Sequence, residues 1–175
     1  MFLVTVNSTL ALTNSEKQKL FKDVRNVCIK YNKSCTVSEL HYNKVNALTT
    51  RDYNIEFTTG ILNKLSYNEL FAVGLHEIGH IAHRHYKVHD IFYKYTTPRQ
   101  YKEGLKTFRY LQETDADLFA TRYYINNNSF NYLPDALRAL TPEHLRNINS
   151  NTHPSINSRI EKIEIFSNFY RSLKN

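Results

Sequence analysis

Residues His76-Glu77-Ile78-Gly79-His80 place two imidazoles and a carboxylate within five positions. Histidines four apart lie about 40° apart around a helix, so both rings project from one face. That spacing suits one zinc ion held from two directions, with Zn–N bonds of about 2.0–2.1 Å. Glu77 occupies the adjoining position, from which a carboxylate reaches a water beside the metal and serves as its general base. Catalytic zinc takes three protein ligands and keeps the remaining position for water. A third donor must therefore come from elsewhere in the chain.

Glu113-Thr114-Asp115-Ala116-Asp117 offers one. Glu113 and Asp117 are four apart and share a helix face, whereas Asp115 lies about 200° from Glu113 and points away. Ala116 and Ala120 flank that face, and their small side chains would let this helix lie close to the first. Glu113 is the expected third ligand. Asp117, one turn on, is expected to accept a hydrogen bond from the non-ligating nitrogen of a ligand histidine, which fixes tautomer and ring orientation. His83 returns to the face of His76 but lies roughly 10 Å along the axis, too far for the same ion. His83, His85 and His89 are expected to be structural or solvent-exposed.

The elements that must carry these residues are mostly helical. The chain has 175 residues, enough for one domain spanning 1–175 with a single core. Four Gly and four Pro force few turns, and 13 Tyr with 10 Phe point to an aromatic-rich core. Residues 14–31 carry apolar positions at helical spacing after Thr13 or Asn14, either a suitable N-cap. Residues 2–6, 35–42 and 53–58 read as strands. Ser66 and Glu69 form a capping box, with Leu65 stapled against Leu70, and open a helix that runs to about Tyr86. Gly74 and Gly79 each cost that helix up to about 1 kcal/mol of propensity. They are expected to admit a strand or a substrate backbone. A second long helix spans about 99–126, short ones 134–140 and 142–148, and a last one about 155–173. The fold class is α+β, mainly α: a zincin-like domain with a small sheet packed on the His-Glu-x-x-His helix.

The formal charge of +7 raises nucleic acid as a partner. Lys and Arg are scattered, however, and no nucleic-acid motif accompanies them, so a solvated basic surface is expected instead. Cys28 and Cys35 match no paired metal-binding motif. Cys28 shares an apolar side with Leu20, Val24, Val27 and Tyr31, which predicts a buried, inert thiol, reduced as in a cytoplasm. The apolar start, residues 1–6, is too short for a signal peptide, and no window approaches 18 apolar residues. A soluble cytoplasmic protein without a membrane partner is expected.

Several motifs in order resemble the HtpX-like and CAAX-prenyl-protease-like metallopeptidases, which are gluzincins. The resemblance covers roughly residues 46–165. Asn46-Ala47 followed by Ile55 to Leu62 is similar to their strand and turn before the site. Leu65-Ser66-Tyr67-Asn68-Glu69-Leu70 is similar to their approach to the zinc helix. His76-Glu77-Ile78-Gly79-His80 runs on to Arg84-His85, as theirs often does. Glu113-Thr114-Asp115-Ala116-Asp117 is similar to their Glu-x-x-Ala-Asp pattern. Thr152-His153-Pro154-Ser155 with Arg159-Ile160 is similar to their late Thr-His-Pro element. Neither the transmembrane helices of the family's membrane enzymes nor the export signals of its envelope enzymes are expected from these residues.

The resemblance implies a soluble zinc endopeptidase acting on protein or peptide substrates, with a Zn2+ held by His76, His80 and Glu113 and with Glu77 as base. It also places His153 near the metal, either as a donor to the oxyanion or as a fourth ligand that displaces the water. Otherwise His153 is a helix cap or a surface histidine. Arg159 then orients a carboxylate of the site or binds substrate backbone, unless its salt bridge merely ties the last helix down. Two rivals remain at this point. One is an ImmA/IrrE-like peptidase that cleaves repressors. The other is a non-catalytic binding or inhibitory protein stapled by zinc.

Overall fold

The structure is a computed structural model that describes residues 11–173. The strand expected over 2–6 lies outside the described residues. Helix α1 (Asn14–Cys28) opens at Thr13, whose hydroxyl accepts from the Glu16 backbone while Glu16 reaches back, a reciprocal cap. Its apolar stripe Leu20, Val24 and Val27 is buried. Three strands follow: β1 (Thr36–Leu40), β2 (Ala47–Thr49) and β3 (Asn54–Thr58). β3 is central, parallel to β1 and antiparallel to β2. β1 and β3 fall inside the segments 35–42 and 53–58. β2 has three residues, too few for alternation to register. Ile55 and Phe57 of β3 point inward and are fully buried.

After the single turn α2 (Thr59–Leu62), helix α3 (Tyr67–Ala82) carries the two histidines. The expected Ser66–Glu69 capping box is present. Leu70, Leu75 and Ile78 are fully buried, because α3 packs on α1 and the sheet on one side and on α5 on the other. α3 stops short of the expected Tyr86. Arg84 adopts a left-handed backbone (φ 53°, ψ 41°), and α4 (His85–Tyr95) leaves in a new direction. α5 (Pro98–Asn126) matches the predicted second helix, capped by Thr97 and Gln100. α6 (Leu133–Leu140) follows. Residues 142–148 form only a 3-10 turn at Glu143–Leu145 rather than a helix. Ser155 caps α7 (Ile156–Ser172). The result is an α+β domain, mainly α, as the periodicity indicated. Among the described residues no helix is long and apolar enough to cross a membrane.

One expectation is overturned. Cys28 is buried, but as half of a disulfide to Cys35 rather than as a reduced thiol. α1 ends at Cys28, and the turn that follows doubles back through Asn32 N–H to Cys28 O and Cys35 N–H to Asn32 O. The two Cα atoms come to 6.1 Å, within bridging distance. Helical periodicity placed Cys28 on the buried face but carried no information about that turn. The disulfide removes the reason for placing the chain in a reducing compartment.

α3 and α5 approach each other backbone to backbone. A Cβ added at Gly79 would stand 2.7 Å from Ala116 Cα, inside van der Waals contact with a backbone atom. Gly79 therefore serves helix packing, not a strand or a substrate; Gly74 faces side chains of α1 (Val24) and of strand β3 (Phe57). Alanine at position 79 gains about 1 kcal/mol of helix propensity but overpacks against backbone at a cost of roughly 1–3 kcal/mol or more. Gly79→Ala is therefore expected to lower the melting temperature by several degrees, at about 2–4 °C per kcal/mol for a chain this size. Thermal denaturation checks it: an increase would show that the two helices are not in contact here.

Candidate metal centre and active site

The i, i+4 spacing on α3 does what helix geometry requires. His76 and His80 turn their Nε2 atoms toward each other, 3.2 Å apart. Glu113, from the facing side of α5, brings Oε2 to 3.5 Å from His76 Nε2 and Oε1 to 3.6 Å from His80 Nε2. The three residues can thus hold a metal ion, with one ligand atom from each and all of these within 4.8 Å of one another. Two ligands of a tetrahedral zinc at its usual bond length stand about 3.3 Å apart, close to the spacings found. Glu113 Oε2 is also buried with no hydrogen-bond partner among the described residues. The Arg159 guanidinium approaches this oxygen only to 3.6 Å, without a hydrogen bond; a buried carboxylate oxygen left without a donor is costly, so the donor set fits a metal.

The outer side of His76 is held firmly. Its Nδ1–H donates to Asp117 Oδ1 at 2.9 Å, which leaves Nε2 free toward the cluster. Asp117 is in turn gripped by Arg159 of α7, Nε to Oδ2 at 2.8 Å and Nη2 to Oδ1 at 2.6 Å. This is the two-pronged geometry in which guanidinium and carboxylate pair best. Asp117 and Arg159 are both buried, so each is tenable only because the other is there.

Electrostatics follow from these contacts. Burial works against charge on His76, but the neighbouring Asp117 and Glu113 carboxylates outweigh it and lift the imidazole to about 10. Glu113, also penalised by burial, is nonetheless held down to about 2 by His76 and by the Arg159 charge. His80 moves the other way, to about 3, through burial and the His76 charge beside it. The same carboxylates that retain a proton on His76 attract a divalent cation to that point.

Glu77 lies beside the cluster rather than in it. It is buried, and burial pushes its carboxyl above the usual range against the pull of the His76 charge and a hydrogen bond from Thr49. Thr49 Oγ1 donates to Glu77 Oε2 at 2.8 Å. Thr49 ends β2, the strand at the sheet edge next to the site. A cavity of about 460 Å³ opens there, lined by Ala47, Leu48 and Thr49 along one side and by His76, Glu77 and Glu113 at its base.

The structure brings the expected residues to one place: His76, Glu77, His80, Glu113, Asp117, His153 and Arg159. His153 enters from the loop before α7, with Nε2 3.4 Å from Glu113 Oε2 and a half-exposed side chain. It is not one of the converging donors. His83 is exposed, and His89 meets Tyr101 Oη at 3.1 Å while lining the same cavity; neither is one of the converging donors. His85 departs from expectation in part, since it is buried with Nδ1 2.8 Å from His80 Nδ1. Sequence reasoning missed Thr49 because it missed β2. It missed the position of His85 because it ran α3 straight through Arg84.

Among models of known protein families, that of Peptidase family M48 matches residues 12–103, more than half of the chain. The chain belongs to peptidase family M48. No curated protein and no solved structure matches it. The M48 match contains α3 with His76, Glu77 and His80 and ends before Glu113. The contribution of α5 and α7 to the centre therefore stands on the geometry above.

Loss of Asp117 should be felt twice in this M48 chain. Without it His76 loses its orienting partner, and partners of that kind typically carry 10–100-fold in metal affinity. Arg159 would also lose both hydrogen bonds to Asp117 and keep only a longer ion pair to Glu113 Oε2 at 3.6 Å; breaking a buried pair costs about 3–5 kcal/mol. Asp117→Ala is expected to show both effects in chelator competition and thermal melting. Asp115→Ala, at a half-exposed position, is expected to do little to either. The reverse pattern would mean that the α5 face is wrongly assigned.

Proposed function

We propose that this chain is a zinc-dependent endopeptidase with His76, His80 and Glu113 as ligands and Glu77 as general base. The observation that carries the proposal is the open side of the centre. Three donors converge, and the space beside them is a cavity bordered by Glu77 and by a sheet edge. A zinc that merely stapled the fold would be enclosed by four protein ligands. Membership of peptidase family M48 favours the same conclusion over an ImmA/IrrE-like peptidase.

In this mechanism an extended protein or peptide substrate pairs with the outer edge of β2, using the backbone groups that neither β3 nor the Tyr86 hydroxyl occupies. Zinc, when bound, would polarise the scissile carbonyl and bring the attacking water's pKa towards ~7. Glu77 takes a proton from that water. Its carboxyl is oriented by the Thr49 hydroxyl, and burial raises its affinity for the proton. Glu77 then passes the proton to the leaving amine. His153, which lines the cavity beside Glu113, donates to the developing oxyanion.

Glu77→Gln is expected to keep zinc and fold but lose hydrolysis of casein or a peptide library by about 10²–10⁴-fold, the usual contribution of a general base. Elemental analysis should find one zinc per chain in this variant and in wild type, and none in His80→Ala. Undiminished cleavage by Glu77→Gln would remove it as the base.

His153→Ala is expected to lower turnover by about 10²-fold with zinc retained, as when one oxyanion donor is lost. A rise in activity would instead mark His153 as a cap on the metal. Unchanged rate constants with a stability loss of roughly 1 kcal/mol would reduce it to a helix-capping element.

A further inference from the structure

We infer that His85 is a positioning residue for the metal centre: its Nδ1 accepts the Nδ1–H proton of His80 and so presents His80 Nε2 to the ion. The inference rests on the zinc centre proposed above. It goes beyond that centre by assigning a task to a residue outside the donor set.

The geometry has one consistent solution. His80 Nε2 faces His76 Nε2 at 3.2 Å and Glu113 Oε1 at 3.6 Å, so it is the nitrogen that meets a metal. Nδ1 must then carry the proton of the neutral ring. The atom opposite it is His85 Nδ1, at 2.8 Å. Two N–H groups cannot face each other at that distance, so His85 Nδ1 is the acceptor and the His85 proton sits on Nε2. Asp115 Oδ2 lies 3.8 Å from that Nε2 and favours a proton there. His85 is not itself a fourth ligand, because it meets His80 on the side away from the cluster.

The backbone is built to make this contact. In a continuous helix a residue five positions after His80 lies about 140° around and about 7.5 Å along the axis, out of reach of its ring edge. The left-handed conformation at Arg84 breaks α3 and folds His85 back beneath His80. A non-glycine residue in that region costs about 1–3 kcal/mol and persists only where its surroundings over-determine it. They do so here: Gln112 Nε2 of α5 donates to His85 O at 3.0 Å, and the next residue, Tyr86, donates from its hydroxyl to Thr49 O of β2. His85 is thereby tied to both helices and to the strand that border the site. His76 and His80 then have matching supports, a carboxylate for one ring and an imidazole for the other.

The test compares wild type with His85→Leu, which removes the acceptor, and His85→Asn, whose side-chain oxygen stands near the lost Nδ1. Zinc affinity is measured by chelator competition. Loss of an orienting partner predicts about 10–100-fold weaker binding in His85→Leu and recovery to within about threefold of wild type in His85→Asn. Proton NMR of zinc-loaded protein with 15N-labelled histidine gives a second readout. A slowly exchanging His80 Nδ1–H is expected in wild type and His85→Asn and should be lost in His85→Leu. Equal zinc affinity in wild type and His85→Leu overturns the inference alone, as does absence of the protected Nδ1–H signal from wild type, a readout that stands even if His85→Leu fails to fold. A wild-type chain that binds no zinc overturns the metal centre and this inference together.

Discussion

The contact between α3 and α5 at Gly79 and Ala116 is the constraint on which the site depends. Helix axes normally pack 8–10 Å apart, according to the side chains between them. Here the side chain on one face is a hydrogen and on the other a methyl, so backbone meets backbone. Short carboxylate side chains on α5 can therefore reach histidines on α3. Glu113 and Asp117 lie three residues before and one residue after Ala116, and His76 and His80 bracket Gly79 in the same way. The small residues and the chemical residues belong to the same two helical turns because the former set the distance that the latter require.

A second constraint is the cost of burying charge. His76, Glu77, Glu113, Asp117 and Arg159 are all withdrawn from water. Isolated, each would neutralise or unfold the region around it. Together they form a chain of partners running from α7 through α5 to α3, with Arg159 gripping Asp117, Asp117 holding His76, and His76 facing Glu113. The network ends on Glu113 Oε2, which has ion pairs but no hydrogen bond, at a point able to receive a cation. Rigidity of the rings and affinity for a metal are thus two consequences of one arrangement.

The sheet and the helix break complete the surroundings. β2 is three residues long, yet it supplies the hydroxyl that holds Glu77, the outer edge along the cavity and the carbonyl that receives Tyr86. The strained backbone at Arg84 is the kind of local irregularity that folds retain beside functional sites. It converts what would be one long helix into two, and it turns His85 inward.

Much of the domain was legible in the sequence because the signals were local. The Ser66–Glu69 box, the periodicity of α1, α5 and α7, and the two four-residue spacings are short-range facts, and helix geometry converts them directly into faces and caps. They were enough to nominate His76, Glu77, His80, Glu113 and Asp117. What needed the tertiary structure was every relation between segments distant in sequence or joined by an irregular turn. The partnership of Arg159 with Asp117 spans 42 residues and that of Thr49 with Glu77 spans 28, and no periodicity encodes either. The disulfide depends on how a turn after α1 closes, and the burial of His85 depends on one residue adopting a positive φ. Periodicity assumes a regular backbone, so it misled at these two departures from regularity, as it also did over 142–148. Both departures are decided by what the rest of the fold holds in place.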